Sequence, residues 1–343
     1  MASAIFDSYV ASLPSLAGKC VAITGTTSGT GYWCAVAAVM KNASCILLVN
    51  RPSERASSAM KAIGEFATAT KLVAVDCDLT CFASVRAAAA MIEQAAAEYG
   101  GLSVLCNNAG IMAFPDVRTA DGCEIQMQTN HTSHFLLTKL CMASLEKAAA
   151  AHGEARVVQH SSMARLFPMN LRAAYFKPSA PGSLGGDGLV LGANFVRYHM
   201  TKLANSVFGM ALHAKLAARG SRVKSLVAEP GIAATQLTPT LLANTGRTGR
   251  LHQWISGLFH SYIMQSAADG ATPLIGCCFG ASSASGDFLV PRRMLWGAPT
   301  PTIAAGVPRF SALTSSESLT LSASNQRLLW EASEVAIGEE FDL

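Results

Sequence analysis

The 343 residues of this chain are 50% hydrophobic and only 14% charged, which favours a folded body with an extensive buried sheet and excludes a disordered chain. The net charge of +4 comes from 26 basic and 22 acidic residues scattered along the sequence, so composition gives no sign of nucleic-acid binding. No stretch is long and apolar enough to span a membrane, although apolar loops could contact one peripherally.

The first 17 residues contain neither Lys nor Arg, and neither a secretory signal nor an Arg-rich transit peptide is visible. We interpret residues 1–17 as a short N-terminal helix or arm. Ten cysteines without a signal peptide indicate free thiols in a reducing compartment, where they would fill the core. Neither Cys77 with Cys81 nor Cys277 with Cys278 has the partners of a zinc site. We therefore expect a cytoplasmic protein without a bound metal.

The first predicted strand runs from Cys20 to Ile23 and ends in a glycine-rich turn that leads directly into an alanine-rich helix. Gly25, Gly29 and Gly31 lie on this turn. Free N–H groups and the helix dipole favour an anion there, and glycine lets a pyrophosphate approach closely. A plain structural turn is the alternative, but a strand, glycines and a helix in this order favour a dinucleotide site.

The second predicted strand, Cys45 to Val49, ends where such a site would face the adenosine ribose. An acidic residue there would bind the 2′-hydroxyl, but this chain has Asn50 and Arg51, with no carboxylate before Glu54. Arg51 could be a solvated loop residue. A cation at this position nevertheless favours a 2′-phosphate, and therefore NADP over NAD.

Strands and helices alternate along the rest of the first two thirds of the chain. The predicted elements are the strand Lys71 to Val75, the helix around Ser84 to Tyr99, the strand Leu102 to Cys106, the helix Gln126 to Leu145, the strand Ala155 to His160, the helix around Tyr198 to Arg219 and the strand Val223 to Ala228. This alternation predicts an α/β fold with a parallel sheet and right-handed crossovers. Asp78 and Leu79 follow the third strand, where adenine would lie.

Four motifs now stand in order along the chain: Thr24-Gly25-x3-Gly29-x-Gly31, Asn107-Asn108-Ala109-Gly110, Ser161-Ser162 and Tyr198-x3-Lys202. With them the chain resembles the short-chain dehydrogenase/reductase family over roughly residues 19–235, including Pro230-Gly231. Residues 128–138, 202–205 and 327–334 are similar to its retinol-dehydrogenase-like branch. The resemblance implies a Rossmann-type doubly wound parallel sheet in a single domain, residues 18–343, which could form a homodimer or homotetramer.

Tyr198 and Lys202 are four residues apart on a predicted helix, so they share one face. Hydride transfer to a carbonyl requires a proton donor, and a tyrosine can serve if a nearby cation lowers its pKa. The resemblance implies that Tyr198 is the acid/base, that Lys202 lowers its pKa and binds the nicotinamide ribose, and that Ser162 polarises the substrate oxygen. It also implies that Asn130 holds a water that links Lys202 to solvent. Ser161 competes with Ser162, but the family's catalytic serine is usually the second of such a pair.

The cofactor contacts that the resemblance implies come from most of the motifs. They are Gly25, Thr27, Ser28, Gly29, Gly31, Arg51, Asp78, Leu79, Asn108, Ala109, Gly110, Tyr198, Lys202, Pro230, Gly231 and Thr235, with Thr235 bonding the nicotinamide carboxamide. Thr30 stands where the family usually has Ile or Leu, which should change packing under the turn and leave the phosphate contact unchanged.

Two segments near the motifs are predicted to shape the substrate site. Residues 168–196 are rich in Pro and Gly and predict a loop insertion beside the active site, in a region where loops select substrate. Residues 236–265 contain Trp254, Phe259 and Tyr262 and predict a helical flap over the substrate. The apolar flap favours a lipophilic small molecule, although core packing explains many of the same residues.

The last part of the chain predicts a C-terminal helical extension. Residues 296–307 are proline-rich and predict an extended connector. They lead to a final helix near Asn325 to Ile337, which Gly338 ends.

Together these patterns predict an NADP-dependent oxidoreductase that transfers a hydride between nicotinamide and a carbonyl or alcohol of a lipophilic small molecule. One alternative is reduction of a carbon–carbon double bond, as in the similar light-dependent protochlorophyllide reductase branch. That branch usually has Cys directly after the Pro-Gly, where this chain has Ile232. The other alternative is a cofactor-binding scaffold without turnover, which the retention of Ser162, Tyr198 and Lys202 argues against.

Overall fold

One nine-stranded sheet runs through the computed structural model of the chain. The structure describes residues 3–67, 69–168, 170–187, 192–231, 265–292, 297–309 and 314–343, without the side chains of 314–316. The strands are β1 (Cys20–Thr24), β2 (Cys45–Asn50), β3 (Lys71–Asp76), β4 (Val104–Asn107), β5 (Ala155–His160), β6 (Val223–Ala228), β7 (Phe288–Pro291), β8 (Pro299–Ala304) and β9 (Val307–Pro308).

Helices cover both faces of this sheet. They are α1 (Ala4–Ala11), α2 (Gly29–Met40), α3 (Glu54–Gly64), α4 (Phe82–Ala97), α5 (Ile125–Met127), α6 (Ser133–His152), α7 (Ala193–Ala218), α8 (Ala267–Gly270), α9 (Thr272–Phe279), α10 (Thr314–Leu321) and α11 (Ala323–Ile337). A π-helix, Gln128–Thr132, joins α5 to α6, so the helix predicted at Gln126 to Leu145 consists of three pieces. Helix α7 begins at Ala193, five residues before the predicted start.

The strand order is β3-β2-β1-β4-β5-β6-β7-β8-β9, and the first seven of these strands pair in parallel. The order reverses next to β1, as in a doubly wound Rossmann-type sheet, so the predicted fold class is confirmed. The carboxyl ends of β1 and β4 meet at that reversal, where such sheets bind their ligands.

The prediction of an extended connector at residues 296–307 is wrong for residues 297–307, the part of it that the structure describes. This segment contributes β8 and begins β9, which pair antiparallel beyond β7. Proline lacks an N–H and is tolerated in a sheet near its edge, and Pro299 and Pro301 lie in the penultimate strand. The prolines therefore mark the sheet's border and not an unpaired linker.

Successive residues of a strand point to opposite faces of a sheet, and this alternation divides the core into two apolar layers. Cys20 and Ala22 of β1 belong to the layer under α4, α6, α7 and α11, whereas Val21 and Ile23 belong to the layer under α1, α2 and α9. Both faces of the parallel sheet are therefore covered, as the apolar composition requires.

The N-terminal arm adds to the second layer. Phe6 of α1 is fully buried, and its ring makes an edge-to-face contact with Trp33 of α2 at a centroid distance of 5.1 Å. Asp269 accepts hydrogen bonds from the Ser3 hydroxyl and the Phe6 N–H. The first turn of α1 is thereby tied to α8, and α1 packs on the same body as the sheet.

All ten cysteines lie in described positions and are free thiols, nine of them buried. The sulfur atoms of Cys34, Cys106 and Cys278 lie within 4.8 Å of one another in the second layer, and there these thiols fill the core. Within the described ranges, no helix combines the length and apolarity needed to cross a bilayer.

Candidate functional site

The glycine turn between β1 and α2 has no room for side chains at two positions. Gly25 has φ +73°, and a Cβ there would lie 2.8 Å from the Cα of Ala109. A Cβ on Gly31 would lie 2.3 Å from both the Asn108 Nδ2 and the Gly25 carbonyl oxygen. Glycine is therefore required at both positions, because the turn packs directly on the segment that follows β4.

Two asparagines fix the shape of this turn. The Thr26 N–H donates to Asn50 Oδ1 at 2.8 Å, and Asn50 Nδ2 donates to the Thr26 hydroxyl at 2.7 Å. From the other side, Asn108 Nδ2 donates to the Thr24 carbonyl at 2.8 Å and Asn108 Oδ1 accepts from the Thr30 hydroxyl at 2.9 Å. From the sequence, Asn50 was notable only because no carboxylate stands at that position. In the structure its side chain holds the turn by these two hydrogen bonds.

The same contacts explain why a threonine replaces the usual aliphatic residue at position 30. The side chain of Thr30 is 6% exposed, and its hydroxyl orients the Asn108 amide under the turn. The main chain at Thr27, Ser28 and Gly29 stays half-buried at the start of α2, where N–H groups without an intrahelical partner can hold an anion.

Two arginines lie beside this helix N-terminus. Arg51 is exposed directly after β2. Arg55, in the first turn of α3, donates from Nη2 to the Ser28 hydroxyl at 2.5 Å. Arg51 was predicted from the sequence and Arg55 was not, although a cation four residues further along, at the start of a predictable helix, was a usable signal.

Asp78 and Leu79 follow β3 at the same edge of the sheet. The Asp78 carboxylate accepts hydrogen bonds from the Thr80 N–H and hydroxyl at 2.9 and 2.8 Å. Leu79 is 8% exposed and its carbonyl accepts from the Ser133 hydroxyl. The Asp78 carboxylate thus shapes its own turn, and the contact of Asp78 and Leu79 with adenine stays a prediction.

Ser162 and Tyr198 meet although 36 residues separate them. Ser162 follows β5 and caps the short 3₁₀ helix Met163–Leu166, where its hydroxyl accepts from the Ala164 N–H. Tyr198 lies on α7 with 5% exposure. Burial raises the pKa of Tyr198 to about 12, and a hydrogen bond with the Ser162 side chain partly opposes that rise. A neutral phenol next to a hydroxyl is therefore the resting arrangement.

Lys202 lies one helical turn beyond Tyr198. Its Nζ is 5.8 Å from the centroid of the Tyr198 ring and donates to the His160 carbonyl at 3.1 Å. Burial lowers the pKa of Lys202 to about 8. Burial sets the direction of the Tyr198 pKa shift, and the lowering of that pKa by Lys202 stays a prediction.

Asn130 lies in the π-helix, a feature that often marks functional positions. Its amide accepts from the Ile111 N–H at 2.8 Å and donates to the Ile111 carbonyl and the Thr201 hydroxyl, both at 2.9 Å. These bonds join the loop after β4 to helix α7. A Cβ on Gly110 would lie 3.1 Å from Asn130 Oδ1 and 3.6 Å from Lys202 Nζ.

Pro230 and Gly231 follow the carboxyl end of β6, after Glu229. The Pro230 carbonyl accepts from Gln265 Nε2 at 2.5 Å, and Gly231 has φ +65°. Thr235 and residues 236–264 of the predicted flap lie outside the described residues. The flap's last residue, Gln265, is therefore the part of it that can be placed.

The insertion predicted at residues 168–196 is more than a surface loop. In its described part, Tyr175 and Phe176 are buried, and the Phe176 ring lies 5.5 Å from that of His131. Arg197, fully buried, donates to the carbonyls of Gly186 and Phe114 at 2.7 and 3.2 Å. The residue before Tyr198 thus anchors the insertion to the loop after β4.

The described site residues form one continuous path. Gly25 touches Ala109, the next residue Gly110 lies beside Asn130 and Lys202, and Lys202 lies beside Tyr198, whose side chain bonds to that of Ser162. The N-terminus of α2, with its free N–H groups, and the two arginines Arg51 and Arg55 lie at one end of the path. Tyr198 and Lys202 lie at the other end. The catalytic and cofactor roles of these residues stay predictions, but their convergence is a property of the fold.

A model of the family described as short chain dehydrogenase matches residues 19–176. An uncharacterized oxidoreductase of Schizosaccharomyces pombe is 35% identical over 66% of this chain and 63% of its own length. Human retinol dehydrogenase 11 is 29% identical over 82% of this chain and 80% of its own length. Human polyprenol dehydrogenase is 30% identical over 68% and 66%, respectively. The chain therefore spans just under two thirds of the first of these relatives.

Solved structures agree with the fold. An uncharacterized protein from Mycobacterium paratuberculosis superposes with a TM-score of 0.69 at 27% identity, covering 97% of this chain and 98% of that one. A protein from Beutenbergia cavernae, described as an NAD(P) dependent gluconate 5-dehydrogenase with bound NADP, has a TM-score of 0.55 at 25% identity, covering 78% and 92%. These similarities support a nicotinamide cofactor.

Replacement of Gly31 by Ala tests whether the glycine turn is a dinucleotide site. The new Cβ would overlap the Asn108 amide and the Gly25 carbonyl, so the turn must move. We expect nicotinamide dinucleotide binding to be lost in calorimetric titration while the circular dichroism spectrum keeps its folded form. Gly64→Ala is the matched control, since Gly64 has no positive φ and a Cβ there makes only an ordinary contact, 3.7 Å from Leu72 Cδ1. Unchanged binding by the Gly31 variant would contradict the assignment.

Proposed function

The chain belongs to the short-chain dehydrogenase/reductase family, in its retinol-dehydrogenase-like branch, and we propose that it is an NADP-dependent oxidoreductase acting on a carbonyl or alcohol of a lipophilic small molecule. One observation carries the proposal: the glycine turn and the Ser162–Tyr198–Lys202 group lie at two ends of one path, joined by Ala109 and Gly110. Fold alone would not specify this chemistry.

In the proposed reaction a bound nicotinamide gives or accepts the hydride. Tyr198 gives the proton to the developing alkoxide during reduction and takes it back during oxidation. The raised pKa keeps the phenol protonated at neutral pH, which suits the role of acid in the reduction direction. The Ser162 hydroxyl, already bonded to Tyr198, would hold the substrate oxygen at hydrogen-bond distance from the phenol.

We propose that the positive charge of Lys202 assists this proton transfer. Its ammonium lies beside the Tyr198 ring and next to Gly110, where it would both bind the nicotinamide ribose and stabilise the tyrosinate left behind. Asn130 supports this geometry by fixing the loop after β4 against α7. A water held between Asn130 and Lys202 would return the proton from solvent, as the family resemblance implies.

NADP over NAD is proposed from two cations at the 2′-phosphate end. Arg51 is exposed after β2, and Arg55 already reaches the Ser28 hydroxyl on the glycine turn. Guanidinium groups bind phosphate oxygens with two parallel hydrogen bonds. Two such groups at the ribose end would favour the phosphorylated cofactor.

A lipophilic substrate is proposed from the rings beside Tyr198. Phe167 is 71% exposed, five residues beyond Ser162, and stacks on the His199 ring at a centroid distance of 4.7 Å. Exposure of so large an apolar side chain beside a catalytic group suits an apolar ligand. Two relatives named after retinol and polyprenol support the same substrate class.

Cofactor choice can be tested by removing the two arginines. We expect Arg51→Ala and Arg55→Ala each to weaken NADPH binding by about 1.5–3 kcal/mol, the cost of a lost charged hydrogen bond, or roughly 10- to 150-fold in Kd. NADH binding should change little. Lys61→Ala, an exposed cation on the same helix, is the control. Equal losses for NADPH and NADH would remove the assignment of NADP.

Turnover can be tested with a screen of NADPH oxidation against retinals, steroids, quinones and aliphatic aldehydes. We expect an aldehyde or ketone of the lipophilic members to be reduced to the alcohol. Tyr198→Phe should lower kcat by roughly 10²- to 10⁴-fold and leave NADPH binding intact, because only the proton donor is removed. Tyr175→Phe, a second buried tyrosine, serves as control. A saturated carbon–carbon bond in the product would favour double-bond reduction instead.

The pH profile should report Lys202. Because burial lowers its pKa to about 8 while Tyr198 stays protonated, kcat/KM for carbonyl reduction should fall as pH rises through about 8. The folded-state pKa lies below the unfolded value of 10.5, so this group costs stability below pH 8, and the cost disappears as pH rises toward 10.5. Lys202→Met should therefore abolish the pH step, slow turnover and raise thermal stability at pH 7. A step that persists in the variant would assign it to another group.

A further inference from the structure

Arg165 is a fully buried guanidinium three residues beyond Ser162, and the proposed mechanism does not use it. Its side chain is 1% exposed. Nη1 pairs with Glu229 Oε2, and Nη2 donates to Glu317 Oε1 at 2.7 Å. The face of the guanidinium lies over the Phe288 ring, with Cζ 4.4 Å from the ring centroid. Both carboxylates are buried, since Glu229 is 0% exposed and Glu317 is 1% exposed.

The three charged residues come from three separate segments. Arg165 lies in the 3₁₀ helix that Ser162 caps, and its Nη1 also donates to the Ser162 carbonyl at 3.2 Å. Glu229 directly precedes Pro230 and Gly231 at the end of β6. Glu317 lies on α10, near the C-terminus. One guanidinium therefore connects the serine's backbone, the end of β6 and a helix more than 150 residues away.

Stability alone is a weak explanation for this cluster. Burying three charges has a large desolvation cost, and replacing buried ion pairs by apolar side chains is often neutral or stabilising. One positive charge here faces two carboxylates. Within the described part of the chain, Arg165 Nε, Glu229 Oε1 and Glu317 Oε2 have no hydrogen-bond partner. Unlike an apolar side chain, a guanidinium fixes the orientation of the groups that it binds, because its N–H donors lie in one plane.

We propose that Arg165, held between Glu229 and Glu317, is a positioning residue that sets Ser162 and the Pro230-Gly231 turn in register across the active site. The inference rests on the proposed function, because it assigns a supporting role around the same serine. It makes α10, which lies beyond the region matched by the family model, a part of the catalytic support. Loss of Glu317 would let the guanidinium turn toward Glu229 and pull the Ser162 carbonyl with it.

Glu317→Gln tests the proposal with the side-chain shape kept and one charge removed. We expect kcat to fall roughly tenfold to 100-fold, as small misplacements of reacting groups do. NADPH affinity should fall less than kcat, because the glycine turn, Arg51 and Arg55 are untouched and only the predicted contacts of Pro230 and Gly231 shift. Glu331→Gln, an exposed residue on α11, should match the wild type in both. An unchanged kcat in the Glu317 variant would overturn the proposal.

A second variant separates positioning from stability. Arg165→Met combined with Glu229→Leu and Glu317→Leu removes all three charges and leaves apolar packing. We expect the urea midpoint of unfolding of this triple variant to be no lower than that of the wild type. Its kcat should be as low as that of Glu317→Gln. Wild-type kcat in a stable triple variant would reduce the cluster to packing and overturn the proposal.

A readout without turnover keeps this inference distinct from the proposed function. Amide hydrogen exchange of residues 162–166, Glu229 and Gly231 should accelerate in Glu317→Gln, while exchange in β1 and β2 stays as in the wild type. If the wild type reduced none of the substrates screened, the proposed function would fail, and faster exchange confined to these two segments would still support the positioning role. Unchanged exchange there, or acceleration spread evenly over the sheet, would overturn it.

Discussion

The close approach of two backbone segments is the constraint on which the rest of this structure depends. The glycine turn after β1 and the segment after β4 lie so close that Gly25 and Gly31 cannot carry a Cβ. Asn108 occupies the space between them and donates from Nδ2 to the Thr24 carbonyl at the end of β1. Because this contact fixes Ala109 and Gly110, it also fixes where Asn130 and Lys202 stand relative to the start of α2.

Charged groups are buried on both sides of this contact, and each joins a segment outside the Rossmann-type sheet to the site. Arg197 ties the insertion to the loop after β4, and Arg165 ties α10 to the ends of β5 and β6. Both arginines follow or precede a predicted catalytic residue by one to three positions. Buried guanidinium groups thus connect segments outside the sheet to the sheet and its loops, and they do so by directed hydrogen bonds that apolar packing could not supply.

Burial also sets the protonation of the central pair. Desolvation disfavours charge, so it raises the pKa of the Tyr198 phenol and lowers that of the Lys202 ammonium. The two shifts bring both groups toward their neutral forms. A neutral acid beside a lysine whose pKa lies near 8 is suited to proton exchange, because little energy separates the protonation states of the lysine.

The strands β1 to β6, most of the helices between them, the glycine turn and the motif residues could be predicted from the sequence, because strand and helix periodicity and glycine chemistry are local properties of the chain. The sequence could not assign Asn50 or Arg55 a contact with the turn, since both contacts depend on how β2 and α3 lie beside α2. Only the tertiary structure showed β8, whose prolines resemble a linker until they are seen at a sheet border. Only the tertiary structure joined Arg165 to Glu229 and Glu317, because a buried ion pair between distant segments leaves no pattern in spacing and exists only where the fold excludes water from all three.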